Sequence, residues 1–215
     1  SNVENSEHEQ KKLRKEENDA RSLVDEVSDK LTSSRKDAAK KIQNEVEVNL
    51  KKLSFLEAIF VVNFEKNEPK EYGKEKAEFF FSPNPGETPK PLAKIASGGE
   101  LSRLHLAITR LVGEMGAMVV YDEVDSGIGG ETANSVGSLL KKASKNSQII
   151  CITHLPQIAR FGNHHLSVKK QVKDGRTFTH VEEVTGDKRV NEIARLLGGI
   201  GDTALNHAKD LLSNS

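Results

Sequence analysis

Three short clusters in this chain carry residues suited to phosphate and proton chemistry. The first is Ala96-Ser97-Gly98-Gly99-Glu100-Leu101-Ser102-Arg103, which sets two glycines at a predicted helix entrance. Glycines let a backbone approach a ligand closely, and the first N–H groups of a helix lack intrahelical partners. With the helix dipole they make a seat for a phosphate, to which Ser97 adds a hydroxyl. The same Ser97 and Glu100 also fit a Ser-x-x-Glu capping box, which needs no ligand.

The second cluster, Ala117-Met118-Val119-Val120-Tyr121-Asp122-Glu123, is an apolar run of strand length that delivers two adjacent carboxylates at its C-terminal end. Ligands of open α/β sheets bind at that edge. Asp122 suits Mg²⁺, usually held through water, and Glu123 suits the polarisation of a water attacking a γ-phosphate. An acidic pair after a strand is also a common way to open a loop. Asp125-Ser126-Gly127 then make a tight polar turn. The third cluster, Thr153-His154-Leu155-Pro156-Gln157, again ends an apolar strand, with Pro156 placed for the first turn of a helix. His154 there can hydrogen-bond a phosphate or orient a water if the two strands are neighbours; as a lone strand-end histidine it is equally a structural residue.

Behind these clusters lies an alternation of elements. Residues 3 to about 54 contain neither Pro nor Gly and are crowded with charge. Val24, Val27, Leu31, Ala38, Ile42, Val46, Leu50 and Leu53 recur at helical steps, as in a coiled-coil seam, although a lone amphipathic helix packed on the domain has the same pattern. Phe60, Val62 and Phe64 then alternate as a strand, Ala77 to Phe81 is a second, and Lys66 to Lys76 reads as their hairpin loop. Helices are predicted at 99–114, 132–143, 189–197 and 203–212, with a short one opening at Pro156. Strands are predicted at 118–121, 148–153, 165–169 and 177–184. The alternation predicts an α/β layer with a largely parallel sheet.

Bulk composition narrows the class. Of 215 residues 35% are hydrophobic and 30% charged, with no Trp, which implies a long solvated segment beside one core. Net charge is zero, so there is no overall electrostatic case for nucleic acid or acidic membrane. Lys11-Lys12, Arg14-Lys15, Lys40-Lys41, Lys51-Lys52 and Lys169-Lys170 are local exceptions that could meet DNA phosphates, or simply face solvent. The single Cys151 excludes an internal disulfide and, within Gln148-Ile149-Ile150-Cys151-Ile152, reads as a buried inert thiol. His164-His165 has no carboxylate or Cys at ligand spacing. No apolar stretch approaches a membrane span, and no signal peptide opens the chain, so a soluble, cytoplasmic protein is expected. The opening Ser1-Asn2 lacks an initiator Met, which suggests a fragment.

In this order the clusters resemble the signature motif, the Walker B strand with its glutamate, the D-loop and the switch histidine of ABC ATPases. The form Ser97-Gly98-Gly99-Glu100-Leu101-Ser102-Arg103 is similar to the branch containing SMC and DNA-repair ATPases. Asn84-Pro85-Gly86, Asp122-Glu123-Val124-Asp125-Ser126-Gly127-Ile128, Thr153 to Ala159 and Ile193-Ala194-Arg195-Leu196-Leu197-Gly198-Gly199 are similar to the RecN family of bacterial double-strand-break repair. The resemblance implies an SMC-type head: residues 1–54 a coiled-coil arm stub, residues 55–215 the C-terminal lobe.

No Gly-x-x-x-x-Gly-Lys-Ser/Thr occurs in the chain; Gly73-Lys74 lacks the preceding glycine. The resemblance therefore implies ATP and Mg²⁺ as cofactors, but held with the N-terminal half of the same head. Asp122 would serve the metal, Glu123 and His154 catalysis, and Asp125 the nucleotide. Ser97, Gly98, Gly99 and Glu100 would reach ATP on a second head in a homodimer, with DNA as the partner of the whole protein and no membrane. Alone, the chain is expected to be inactive. An ABC transporter subunit would carry the same clusters without the long charged helix. A non-catalytic module dimerising through its arm is the other alternative.

Overall fold

The computed structural model describes residues 2–112, 118–173, 175–199 and 201–214. The chain opens with helix α1 (Asn2–Lys52), whose exposed face is laced by i,i+4 pairs such as Glu17–Arg21 and Glu26–Lys30. The apolar stripe divides in two. Ala39, Val46, Leu50 and Leu53 are buried, whereas Leu13, Leu23, Val24, Val27 and Leu31 stay exposed. Ala38, expected in the stripe, faces solvent, and its neighbour Ala39 takes the contact. The last turns of α1 thus belong to the same core as the residues that follow them.

A Schellman motif ends α1. Phe55 N–H reaches back to Leu50 O and Ser54 N–H to Lys51 O, with Ser54 left-handed at φ 65°. Phe55 and Leu50 are both buried, the apolar contact that accompanies this stop. Ser54 is not a glycine, and its hydroxyl is held by that of Thr132.

Strands β1 (Ile59–Lys70) and β2 (Gly73–Ser82) form an antiparallel hairpin, and the short β3 (Lys90–Pro91) pairs with β2. The expected loop 66–76 is mostly strand. Pairing continues from Lys66↔Glu75, through an irregularity, to Lys70↔Gly73, leaving a turn at Glu71 and Tyr72. The reason is polar support from the arm. Lys74 Nζ lies 2.6 Å from Asp29, Thr32 donates to Glu75, and Arg35 donates to Tyr72 O. No apolar alternation marks such a strand, because little of it is buried.

A 3₁₀ turn (Leu92–Lys94) leads into α2 (Gly98–Val112), and β4 (Met118–Tyr121), α3 (Gly130–Ala143), β5 (Gln148–Cys151) and α4 (Pro156–Ala159) follow. The end of the predicted helix 99–114 lies outside the described residues. β4 and β5 are parallel, Tyr121 opposite Cys151. The parallel pairing expected of the sheet is found here, and the other sheets among the described residues are antiparallel. One face of this pair buries Val119 and Tyr121 with Phe60, Leu104, Ala107 and Val136 in the main core.

The chain finishes with the antiparallel hairpin β6 (Leu166–Lys173) and β7 (Arg176–Glu183), then helices α5 (Gly186–Leu196) and α6 (Asp202–Ser213). α5 and α6 close a smaller core on Ile193, Ala194 and Ala208. Among the described residues no helix is long and apolar enough to cross a membrane.

Candidate functional site

The three clusters meet at the C-terminal ends of β4 and β5. Parallel register carries both strands to the same edge, so Asp122 and Glu123 leave β4 beside the segment running from β5 to His154. Ile152 N–H donates to Tyr121 O at 2.9 Å, which extends the pairing to the last residue before the acids. Asp122 and Glu123 are both exposed. Asp122 Oδ1 accepts the Glu123 N–H at 2.9 Å, and Glu123 itself is left-handed, φ 57°, a conformation uncommon outside glycine. The turn is closed by Ser126 N–H donating to Glu123 O at 3.0 Å.

The glycines of the first cluster lie directly against this turn. A Cβ added at Gly98 would sit 2.5 Å from Glu123 Oε2, and one at Gly99 2.8 Å from Ser126 Cβ and 3.2 Å from Glu123 O. Close approach to the backbone of the turn explains Gly99 without a ligand, whereas at Gly98 the neighbour is the movable carboxylate end of Glu123. Two side chains of α2 fasten the contact: Ser102 Oγ donates to Asp122 O and Arg103 Nη1 to Ser126 O, each at 2.7 Å. Arg103 also lies over the Phe55 ring, 5.0 Å from its centroid, and burial lowers its pKa, which Glu100 partly offsets. Half of the capping box forms, Glu100 N–H donating to Ser97 Oγ at 3.3 Å.

Asp125 joins the two strand ends. It is buried, and its Oδ2 accepts from Thr153 Oγ1 at 2.6 Å and from His154 N–H at 2.9 Å. His154 Nδ1 lies 2.9 Å from the same oxygen, its side chain 75% exposed against 6% for Asp125. Thr153 Oγ1 in turn accepts from Leu155 N–H at 3.0 Å, which leads into α4 with Pro156 at its first turn. Beneath them, burial, with Asp125 and Asp122 adding, pushes the Cys151 thiol up to about 12, so it is an inert packing group at pH 7.

All eight sequence-predicted site residues thus gather at one edge, with Gly98, Gly99 and Glu100 joined to it through the opening of α2. Sequence reasoning missed Ser102, Arg103 and Thr153 as its fasteners. The signal available was position: Ser102 and Arg103 lie one helical turn after the glycines, facing the same way. His164 is engaged elsewhere, 2.8 Å from Glu183, and no group of three or more metal-ligating side chains occurs among the described residues.

No protein-family profile matches the chain. It is 40% identical over 192 residues to the DNA repair protein RecN of Vibrio cholerae, covering 86% of this chain and 35% of that protein. Against RecN of Bacillus subtilis it is 35% identical over 233 residues, covering 99% of this chain and 40% of the relative. With RecN of Deinococcus radiodurans it shares 48% over 147 residues, 68% of this chain and 26% of the relative. The chain therefore spans between 26% and 40% of these curated relatives. Among solved structures, the Smc head domain with a coiled coil and joint from Pyrococcus yayanosii superposes with a TM-score of 0.51 at 22% identity, covering 82% of this chain and 30% of that one. That likeness gives the fold alone, part of an Smc-type head domain carrying a long helix. On these sequence matches, the chain belongs to the RecN family of DNA repair proteins.

Proposed function

We propose that this chain is one portion of an SMC-like ATPase that acts in recombinational repair of DNA double-strand breaks. In this reading it supplies the acids, the histidine and the signature loop of an ATP site whose P-loop lies on other polypeptide. The observation that carries it is the single edge at which Asp122, Glu123, Asp125 and His154 converge, linked through Asp125 Oδ2.

The donors fit the cofactors. Mg²⁺ typically takes one or two carboxylates and completes its shell with water and phosphate oxygens, so an exposed Asp122 suffices without a protein cage. ATP would supply the γ-phosphoryl group, and the chain's task is positioning and electrostatics. Glu123 stands next along the backbone, in a turn whose left-handed φ is held by Ser126 and Ser102, and serves as the group that polarises water. His154 presents its ring to solvent from the neighbouring strand end. Ser97, Gly98, Gly99 and Glu100 open α2 beside these residues and would contact ATP on a second head, so that nucleotide bridges a homodimer and its hydrolysis moves the arms around DNA. The N-terminal half of the same head would complete the sheet. A cytoplasmic, nucleoid-associated location follows from that role.

The test is Glu123→Gln in the full-length protein containing this chain. General-base loss should lower the ATP turnover rate by roughly 10²–10⁴-fold, while ATP-dependent dimers persist. Turnover within twofold of the unsubstituted protein would overturn the assignment. The 215-residue chain by itself should show negligible hydrolysis, and micromolar ATP affinity by calorimetry would contradict that.

A further inference from the structure

We infer that Arg103 is a positioning residue for the turn that carries Glu123, and that through Phe55 it ties this turn to the root of the α1 arm. The inference rests on the reading of Glu123 as the group that polarises water.

Its basis is a buried cation held by a carbonyl and a ring. Arg103 is only 7% exposed. Its Nη1 donates to Ser126 O at 2.7 Å, its Cζ stands 5.0 Å from the centroid of the Phe55 ring, and its Nε has no partner among the described residues. Burying a guanidinium in this way costs desolvation that an apolar side chain of similar size would not incur, so packing alone does not call for it. What the guanidinium adds is direction. Its plane lies on a ring while its edge donates to a carbonyl, a pairing of roles that an ammonium does not offer.

Both ends of that reach matter. Ser126 accepts from Arg103 on its carbonyl and gives its own N–H to Glu123 O at 3.0 Å. One residue thus joins the guanidinium to the backbone of Glu123, whose left-handed φ of 57° is costly and persists only where its surroundings hold it. At the other end, Phe55 follows the stop of α1, its N–H bonded to Leu50 O at 3.0 Å. Its ring meets that of Phe81 edge-on, with centroids 5.5 Å apart. The arm therefore holds the backbone of Phe55 and β2 holds its ring, and the guanidinium rests on that ring. A tilt of α1 at Leu50 reaches Glu123 through two side chains, Phe55 and Arg103.

The experiment measures ATP hydrolysis and hydrogen exchange in the full-length protein containing this chain, for Arg103→Met, Phe55→Leu and both together. Arg103→Met keeps a long apolar stem and removes the cation. It should lower kcat about tenfold or more with KM for ATP changed less than about twofold, as for an interaction felt in the transition state. Exchange in 122–128 should quicken while the amides of β4 and β5 keep their protection. Phe55→Leu should lower kcat by about threefold, and the double variant should be no slower than Arg103→Met alone, because the ring acts through the guanidinium. Additive losses overturn the tie to the arm. Unchanged kcat, a raised KM in its place, or unchanged exchange in 122–128 overturns the positioning role. A Glu123→Gln protein with unaltered turnover instead sinks the underlying reading of the glutamate, and the exchange measurement then still decides whether Arg103 holds the turn. Should circular dichroism show that Arg103→Met does not fold, Arg103→Lys keeps the charge and gives up the stacked fork. It should give a smaller fall in kcat that again absorbs the effect of Phe55→Leu, and an additive fall there overturns the inference as well.

Discussion

His165 sits immediately before β6, half-buried, and its Nδ1 finds no partner among the described residues. Burial lowers its pKa below the ordinary 6.5; Arg189 and Arg195 of α5 lower it further, and Glu192 opposes them. The unfolded chain therefore binds the proton more readily than the folded one across the interval below about 6.5. Stability from this site is fully present above that value and declines as the pH falls through the interval. Glu192 adds a separate loss at lower pH, because its bond to Arg195 holds its carboxyl below 4.5. Melting temperature should be flat from pH 8 to 7 and fall toward pH 5.5, and His165→Asn should flatten that fall; an unchanged slope in the variant would refute the assignment. At this scale the sequence exposed the chemistry of Asp122, Glu123 and His154 through residue type and order. It could not expose the work of Asp125, because Thr153 stands 28 positions away and only the parallel register of β4 and β5 brings the two together.

Among the elements, α1 and the β1–β2 hairpin form a brace. Beyond the buried Ala39 the helix would leave the core with no support, yet the hairpin tip follows it, joined by Asp29–Lys74, Thr32–Glu75 and Arg35–Tyr72 O. Asp29 also holds the Lys74 ammonium above its ordinary value. Gly73 is where the strap turns. Its φ is +94°, and a Cβ there would lie 3.0 Å from Leu31 Cδ2. Gly73→Val should cost about 1–3 kcal/mol from backbone strain alone. Hydrogen exchange should speed up in 66–76 and 29–35 while the β4–β5 amides stay protected. Uniform loss of protection would mean that the brace is part of the core and not an appendage. Residues 66–76 read as a loop in the sequence because these contacts are polar and make no period-2 signal. The heptad-like stripe of α1 was legible as helix, but which half of it the lobe covers was not, since Leu31 and Val46 are equally apolar and differ only in what lies beside them.

At the scale of the whole molecule, the parallel pair is covered on one side only. Val119 and Tyr121 are buried, whereas Met118, Val120, Ile150 and Ile152 on the opposite face are between 42% and 57% exposed. Parallel strands in α/β proteins are packed on both faces, and nothing among the described residues pairs with the outer edge of either β4 or β5. The β6–β7 hairpin repeats the pattern, with Leu166, Val168 and Val181 exposed on one face. A contiguous apolar face of this kind calls for a further layer of polypeptide, in line with a chain that spans at most 40% of its relatives in the comparisons above. In its absence the 215-residue chain should self-associate as its concentration rises, through a surface that in the proposed function the other half of the head would cover. Val120→Thr together with Ile152→Thr leaves the buried face untouched and removes two branched apolar groups from the exposed one. Sedimentation velocity should then show a shift toward monomer at equal concentration, with circular dichroism unchanged. A chain already monomeric at hundreds of micromolar would mean that this face is tolerated in water, and the argument for a missing layer would lose its physical support.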